Sequence, residues 1–370
     1  MKRIVLILVV GMLVALPAVS WSEDTHLQAC QATAEKTVGS GPLLRMAVFG
    51  DSVAWGNGLK ESTDQTPGHK FSAMVADWLA QTSRHTVERT VYAHSGATVL
   101  GSAPKTGQAS LGQASSGDVA GEAPTISSQL RCIPEDQRAA VRLILIDGCI
   151  NDIGSLQLVS PKNSQDWVRK ETETSCGAPV EEMLRNAAQM YPHATIVLTG
   201  YYPVISDLSE IGPFLDFLWQ FIPGASKPSS SLLTEADLEK ANQEKKIAAA
   251  NSSLFYDLSN QLLGNSVDRL NRELGNKRLY FVKLPFSAEN AFGAPASYLW
   301  PIPNMVYGFD EVYLQRQKPC LLAFAKDPFH FELCRLDSAA HPNVDGARAI
   351  ANEITKTLTD FAQQLRREAP

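Results

Sequence analysis

Along the chain, short continuous apolar runs alternate with longer stretches in which apolar residues return every three or four positions. "LLRMAVFG" (43–50), "TVERTVYA" (86–93), "VRLILID" (141–147) and "ATIVLTGYY" (194–202) read as strands, and the least interrupted suit burial on both faces. Between them, "HKFSAMVADWLAQ" sets Phe71, Met74, Val75, Trp78 and Leu79 on one helical face, and "VEEMLRNAAQMY" repeats the pattern more weakly. The final stretch, 345–368, keeps Ala347, Ile350, Ile354, Leu358, Phe361 and Leu365 in helical register. Strands alternating with helices predict an α/β fold, a three-layer α/β/α arrangement around a central, mostly parallel sheet.

In such a sheet, sites form where loops leave the carboxyl ends of the strands. Three unusual loops follow three predicted strands: Gly50-Asp51-Ser52, "HSGAT" (94–98) and "DGCINDIG" (147–154). The pattern predicts that they share one edge. Two stretches read as additions to this core. Residues 101–123 are rich in Gly, Ser and Ala. Residues from about 204 to 304 form a longer insertion holding the apolar "IGPFLDFLWQFIPG" and a long helical pattern from Thr234. The apolar segment reads as a buried helix or as a lid over the site. No internal repeat occurs, and residues 21–370 read as a single domain.

The N-terminus changes the picture of where the chain works. Met1-Lys2-Arg3 precedes the apolar "IVLILVVGMLVALPAV", and Ala18 and Ser20 supply small residues for cleavage before Trp21. The apolar run falls short of a comfortable span of ~20 residues, and Pro17 breaks it. Residues 1–20 therefore read as a cleaved export signal rather than an anchor, and the mature chain as secreted or periplasmic. "LQAC" (27–30) is too far from the apolar core to be a lipidation signal. All six cysteines follow the expected cut, and none forms a C-x-x-C pair, which favours structural disulfides over zinc or redox chemistry. Proximity along the chain suggests Cys320 with Cys334, Cys149 with Cys176, and Cys30 with Cys132. A formal charge of −6, with no basic run beyond Arg366-Arg367, argues against nucleic acid as a partner. The seven histidines are scattered and no H-E-x-x-H spacing occurs, so no metal is expected and a metal-dependent phosphoesterase is disfavoured.

What chemistry do the loops offer? A serine hydroxyl needs a base, a group that orients the base, and donors for a developing oxyanion. Ser52 sits on a tight turn, although Ser and Asp also favour helix caps. Near the C-terminus "DSAAHPN" (337–343) places His341 four residues after Asp337. Gly96 offers a backbone N–H, or only turn geometry; Asn151 offers a side-chain amide, or only a turn. Trp55 and His94 flank the proposed site, where they either line it or pack in the core.

"FGDSVAWGNGL", "AHSGAT", "INDIG" and "DSAAHPN" resemble, in order, the four sequence blocks of the SGNH, or GDSL-type, serine esterases and lipases. The pattern runs from about 43 to 360. The resemblance implies a three-layer α/β/α fold and ester hydrolysis without a cofactor. It implies Ser52 as nucleophile and His341 as general base, with Ser52 N–H, Gly96 N–H and the Asn151 amide as the oxyanion hole. The G-x-S-x-G elbow of the other serine-esterase architecture is absent. Two positions depart from the pattern. The family places Asp three residues before the histidine, where Ser338 stands here; one residue's shift reverses a side chain in extended backbone. Asp337 then reaches the imidazole through a bulge, or a main-chain carbonyl takes its place. The third block usually reads Gly-x-Asn-Asp, and here reads Cys149-Ile150-Asn151-Asp152. Expected substrates are small-molecule, lipid or acylated-glycan esters; a polysaccharide O-deacetylase and an exported binding protein with an idle site are the alternatives.

Overall fold

A computed structural model describes residues 32–63, 66–100, 119, 124–222 and 233–368. The expected export signal, Cys30 of the expected Cys30–Cys132 bridge, and all but Val119 of residues 101–123 lie outside the described residues. Six strands form one sheet: β1 (Ala34–Val38), β2 (Leu43–Phe49), β3 (Thr86–Val91), β4 (Val141–Ile146), β5 (Thr195–Thr199) and β6 (Leu279–Val282). Their spatial order is β1-β3-β2-β4-β5-β6. Every pairing is parallel except the edge strand β1, which runs antiparallel to β3. The fold is thus the predicted α/β class with a central, mostly parallel sheet. β2, β4 and β5 are buried along most of their length, as continuous apolar runs under two helical layers must be.

Two sets of helices cover the sheet. The first residues after β2 form a single turn, α1 (Ser52–Trp55), and the apolar face of α2 (Phe71–Ser83) packs beside β3. Short α3 (Ile126–Gln129) and α4 (Ile150–Ile153) flank β4 in sequence. Then come α5 (Gln165–Cys176), α6 (Ala178–Met190), α7 (Ile211–Phe221) and the forty-residue α8 (Glu235–Leu274). The chain continues through α9 (Tyr313–Ala323) and α10 (Pro328–Arg335) to α11 (Val344–Thr357) and α12 (Thr359–Glu368). α11 and α12 pack on α2, while α5, α6 and α8 pack together as a second group. The closing pattern read as one helix divides at Leu358, which is buried at the joint.

β6 lies within residues 204–304 and extends the sheet by one parallel strand. In the same stretch α7 turns Phe214, Leu215, Phe217 and Leu218 inward. The Cys149–Cys176 and Cys320–Cys334 bridges form as expected, the first joining the loop after β4 to the end of α5 and the second joining α9 to α10. Val119 is buried against the second bridge. Among the described residues no helix is long and apolar enough to cross a membrane.

Topology explains where the loops meet. The chain leaves β2 for β3 on one side and returns to β4 on the other, so the crevice between the carboxyl ends of β2 and β4 is a switch point. The loops carrying Ser52 and Asn151 open onto it.

Candidate active site

β2 ends at Phe49, and the chain must turn at once. Gly50 does so at φ +139, where a Cβ would lie 2.0 Å from Asp147 Oδ1. No other residue fits there. The Gln129 side chain of α3 clamps the turn from both directions, accepting from Gly50 N at 2.8 Å and donating to Gly50 O at 3.0 Å. Asp51 N donates to Asp147 Oδ1 at 2.8 Å, tying the turn to the end of β4. Asp51, not Ser52, caps α1: its Oδ1 accepts from Val53 N at 2.8 Å. Ser52 is left in the first turn with its hydroxyl uncommitted to the backbone.

That hydroxyl lies 2.7 Å from His341 Nε2, across a sequence separation of 289 residues. The histidine's loop is fixed on several sides. Trp300 N donates to His341 O at 2.8 Å, Tyr202 Oη donates to Ala340 O at 3.1 Å, and Asn343 caps α11 just beyond. A cleft of about 90 Å³ is lined by Ser52, Gly96, Asn151, Asp337 and His341, with Tyr202 and Phe217 on its apolar side. All five sequence-predicted residues therefore share one cavity. Asn151 Nδ2 donates to Ala97 O at 3.0 Å, so the "HSGAT" and "DGCINDIG" loops are joined through the amide itself. Asp152 reinforces the junction by accepting from Val99 N at 3.0 Å.

The acidic neighbour is arranged differently from the family spacing. Ser338, in the usual Asp position, turns away and donates to Asp310 Oδ2 at 2.6 Å. Asp337 Oδ2 accepts from Asn57 Nδ2, whose other N–H donates to Ser95 Oγ at 2.9 Å. His341 Nδ1 is buried with no hydrogen-bond partner among the described residues. Asp337 thus shares the cleft with the imidazole without bonding to that nitrogen.

Beneath Ser52 lies a buried acid pair. Burial raises Asp51 above the usual carboxylate range, opposed by the 2.7 Å hydrogen bond from Tyr201 Oη. Burial and the charge of Asp51 together push Asp147 well above it. Burial likewise raises the Tyr201 phenol. Trp55 and His94 are core residues. His94 is buried with its ring nitrogens 2.9 Å from Ser95 O and Pro124 O, and burial lowers its pKa.

Residues 48–276 match the GDSL-like Lipase/Acylhydrolase family, a window that holds Ser52, Gly96 and Asn151. The chain belongs to this family. Among solved structures it is similar to an extracellular lipase from Streptomyces rimosus, at 14% identity over 86% of this chain and 99% of that one, with a TM-score of 0.43. It is also similar to phospholipase A1 from Streptomyces albidoflavus NA297, at 12% identity, 87% and 99% coverage and a TM-score of 0.40. A third is a family two carbohydrate esterase from Clostridium thermocellum, at 11% identity, 88% and 66% coverage and a TM-score of 0.38. No curated protein matches the chain.

Several residues that shape the site of this GDSL-like hydrolase escaped the sequence reading. Asp147 closes its strand just as Asp51 follows β2, and that parallel was the available signal. Asn57 lay in the quoted first block between two glycines. Gln129 and Tyr201 carry no local mark, because their roles depend on which loops the sheet brings together.

Proposed function

We propose that this GDSL-like hydrolase is an exported serine esterase that cleaves carboxylic esters through an acyl-serine intermediate. The observation that carries the reading is the 2.7 Å approach of Ser52 Oγ and His341 Nε2 above the carboxyl edge of the sheet. His341 takes the Ser52 proton as Oγ bonds to the ester carbonyl carbon. Ser52 N–H, Gly96 N–H and the Asn151 amide hold the resulting oxyanion. The C–O bond to the alcohol then breaks, and His341 returns the proton to that leaving oxygen. Water, deprotonated by the same imidazole, attacks the acyl-serine and releases the acid and Ser52. Asp337 supplies negative charge beside the imidazolium, from a position set by Asn57.

Every atom in this cycle comes from substrate, water and the four side chains Ser52, His341, Asn151 and Asp337, with two main-chain amides. The family supports esterase chemistry, and the buried Cys149–Cys176 bridge suits an oxidising compartment reached through a signal at residues 1–20. The test is direct. Wild-type protein turns over a p-nitrophenyl ester and its Ser52 is labelled by a fluorophosphonate, and Ser52→Ala loses both. Normal turnover by Ser52→Ala overturns the reading in favour of another nucleophile, and a wild type that is neither labelled nor active overturns it in favour of a binding protein.

A further inference from the structure

Two cavities meet the helix α7 on different faces. One is the 90 Å³ Ser52 cleft and the other a hollow of about 380 Å³, and among the described residues they share no lining residue. α7 stands between them: Pro213 and Asp216 line the hollow, and Phe217 lines the cleft. The Phe217 ring contacts that of Phe292, a residue of the hollow, at a separation of 5.2 Å. Phe292 N also donates to the carbonyl of the cleft residue Val204 at 2.8 Å.

This partition is firmly held. Phe217 is only 3% exposed and is in ring contact with Phe221 as well, at 5.1 Å. Ser209 Oγ donates to Phe292 O at 2.6 Å, and Glu210 N donates to Gly293 O at 2.8 Å. Gly293, at φ +68, passes so near α7 that a Cβ would lie 2.8 Å from Pro213 Cβ. Val204 N donates to Ser252 Oγ of α8 at 2.8 Å. The His341 loop is held as closely: Leu299 bridges to Pro342, Ser338 donates to Asp310, and Asp310 is ion-paired with Arg316 at 2.9 Å. Close-packed walls of this kind resist even one added methylene.

Size and chemistry together say which part of an ester meets Phe217. Sites for drug-sized ligands usually measure about 300–1,000 Å³. The hollow falls in that range, whereas the cleft is far below it. In the ester cycle His341 hands its proton to the departing alcohol oxygen, so the alcohol lies by the imidazole. The acyl group stays on Ser52 and takes the apolar side chains of the remaining lining, Val53, Ile150, Leu156, Val204 and Phe217. None of these carries a charge or a hydrogen-bonding side chain, so they suit a short aliphatic group.

We propose that Phe217 is a specificity-determining residue: its ring closes the acyl end of the Ser52 cleft and restricts the hydrolase to esters of short acyl chains, such as acetyl or butyryl. Behind that ring lies the hollow, which has room for the longer chains that the cleft refuses. The inference rests on the hydrolase reading and adds the substrate class to it. It also gives the apolar segment of α7 its place in the site, as a fixed wall of the cleft rather than a lid over it.

The experiment compares kcat/KM for p-nitrophenyl acetate, butyrate, hexanoate and octanoate, and for a series of alkyl acetates in which only the alcohol lengthens. Wild type is expected to favour acetate or butyrate and to fall from hexanoate onward. Phe217→Ala should raise the octanoate-to-acetate ratio at least ~10-fold, since each newly buried methylene contributes about fourfold. The ratio is taken within one protein, so a smaller folded fraction leaves it unaltered. Phe217→Leu removes less volume and should shift it in the same direction by less. Phe221→Ala takes a ring from the same helix outside the cleft and should keep the wild-type ratio. A wild type that cleaves octanoate as fast as acetate, or a Phe217→Ala protein with the wild-type ratio, overturns the proposal. So does an equal shift in Phe221→Ala, which would mark general loosening, or a gain confined to acetates of longer alcohols. Failure of the hydrolase reading looks different: no ester of either series is turned over and Ser52 stays unlabelled, and the proposal falls with it.

Discussion

Asn57 is the residue on which the site's acid depends. Both of its amide hydrogens are used, one on Ser95 and one on Asp337, and Gly58 beside it passes so close to Trp300 and Ser338 that a Cβ would lie 2.9 Å from each. The loop after α1 is thereby fastened to the loop before His341. Asn57→Ala frees Asp337 to point elsewhere without touching the ester. Its kcat is expected to fall ~10-fold with KM unchanged, and Asn57→Ala/Asp337→Ala should be no slower than Asp337→Ala alone, because the two residues act as a unit. Full additivity in steady-state kinetics would remove Asn57 from this role. Ser52 and His341, the proposed nucleophile and base, could be picked out from the sequence because each sits in a short block of fixed spacing, and they lie 2.7 Å apart. Asp337 could not be placed with the same assurance: with Ser338 in the expected position, the direction of each side chain depends on a turn whose φ of +63 at Ala340 leaves no sequence signature.

Among the elements, β2 and β4 bear the strongest local constraint, since their ends carry Asp51 and Asp147 into one dry space. A carboxyl whose folded pKa is raised binds its proton more tightly in the native state. Its contribution to stability is complete below the ordinary aspartate value and is lost as pH rises through the raised one. Asp147→Asn keeps an acceptor for Asp51 N and removes the titration. Melting temperatures of the two proteins should be similar near pH 4, about the reference aspartate value, and diverge in favour of the variant as pH rises. A constant difference across that range would show that Asp147 does not titrate with folding. The strands that were legible are the continuous apolar ones and β3, whose "TVERTV" alternates with valines inward. β1, with its alternating "AEKTV", and β6, only four residues long, carry too little periodicity to stand out, and α5 is polar on all but a narrow face.

At the scale of the whole molecule, the central sheet brings together residues spread over some 300 positions, and the order of its strands does most of that work. Alternating apolar periodicities were enough to infer that order's class, though not that residues 204–304 would supply a sixth strand. The long-range cross-link Cys149–Cys176 closes a separation of 27 residues around α4 and α5 and fastens the Asn151 loop, in which Cys149 itself has a φ of +118. Cys149→Ala/Cys176→Ala is expected to lower unfolding free energy by ~3 kcal/mol in denaturant titrations. It should also lower kcat, because the amide two residues on loses its mooring. An unchanged kcat with the stability loss would confine the bridge to a purely mechanical role.

The Asp310–Arg316–Ser338 knot has one more consequence. A reader of the family pattern would be tempted to restore the missing acid with Ser338→Asp. That carboxylate would arrive beside Asp310, within a fully enclosed setting that holds a single guanidinium to share. Two negative groups would compete for one positive one. The shifted acid is therefore not a deviation that one substitution could undo: Ser338 is bonded to Asp310 and Asp310 to Arg316, so placing an acid at 338 would mean rebuilding that enclosed pair as well.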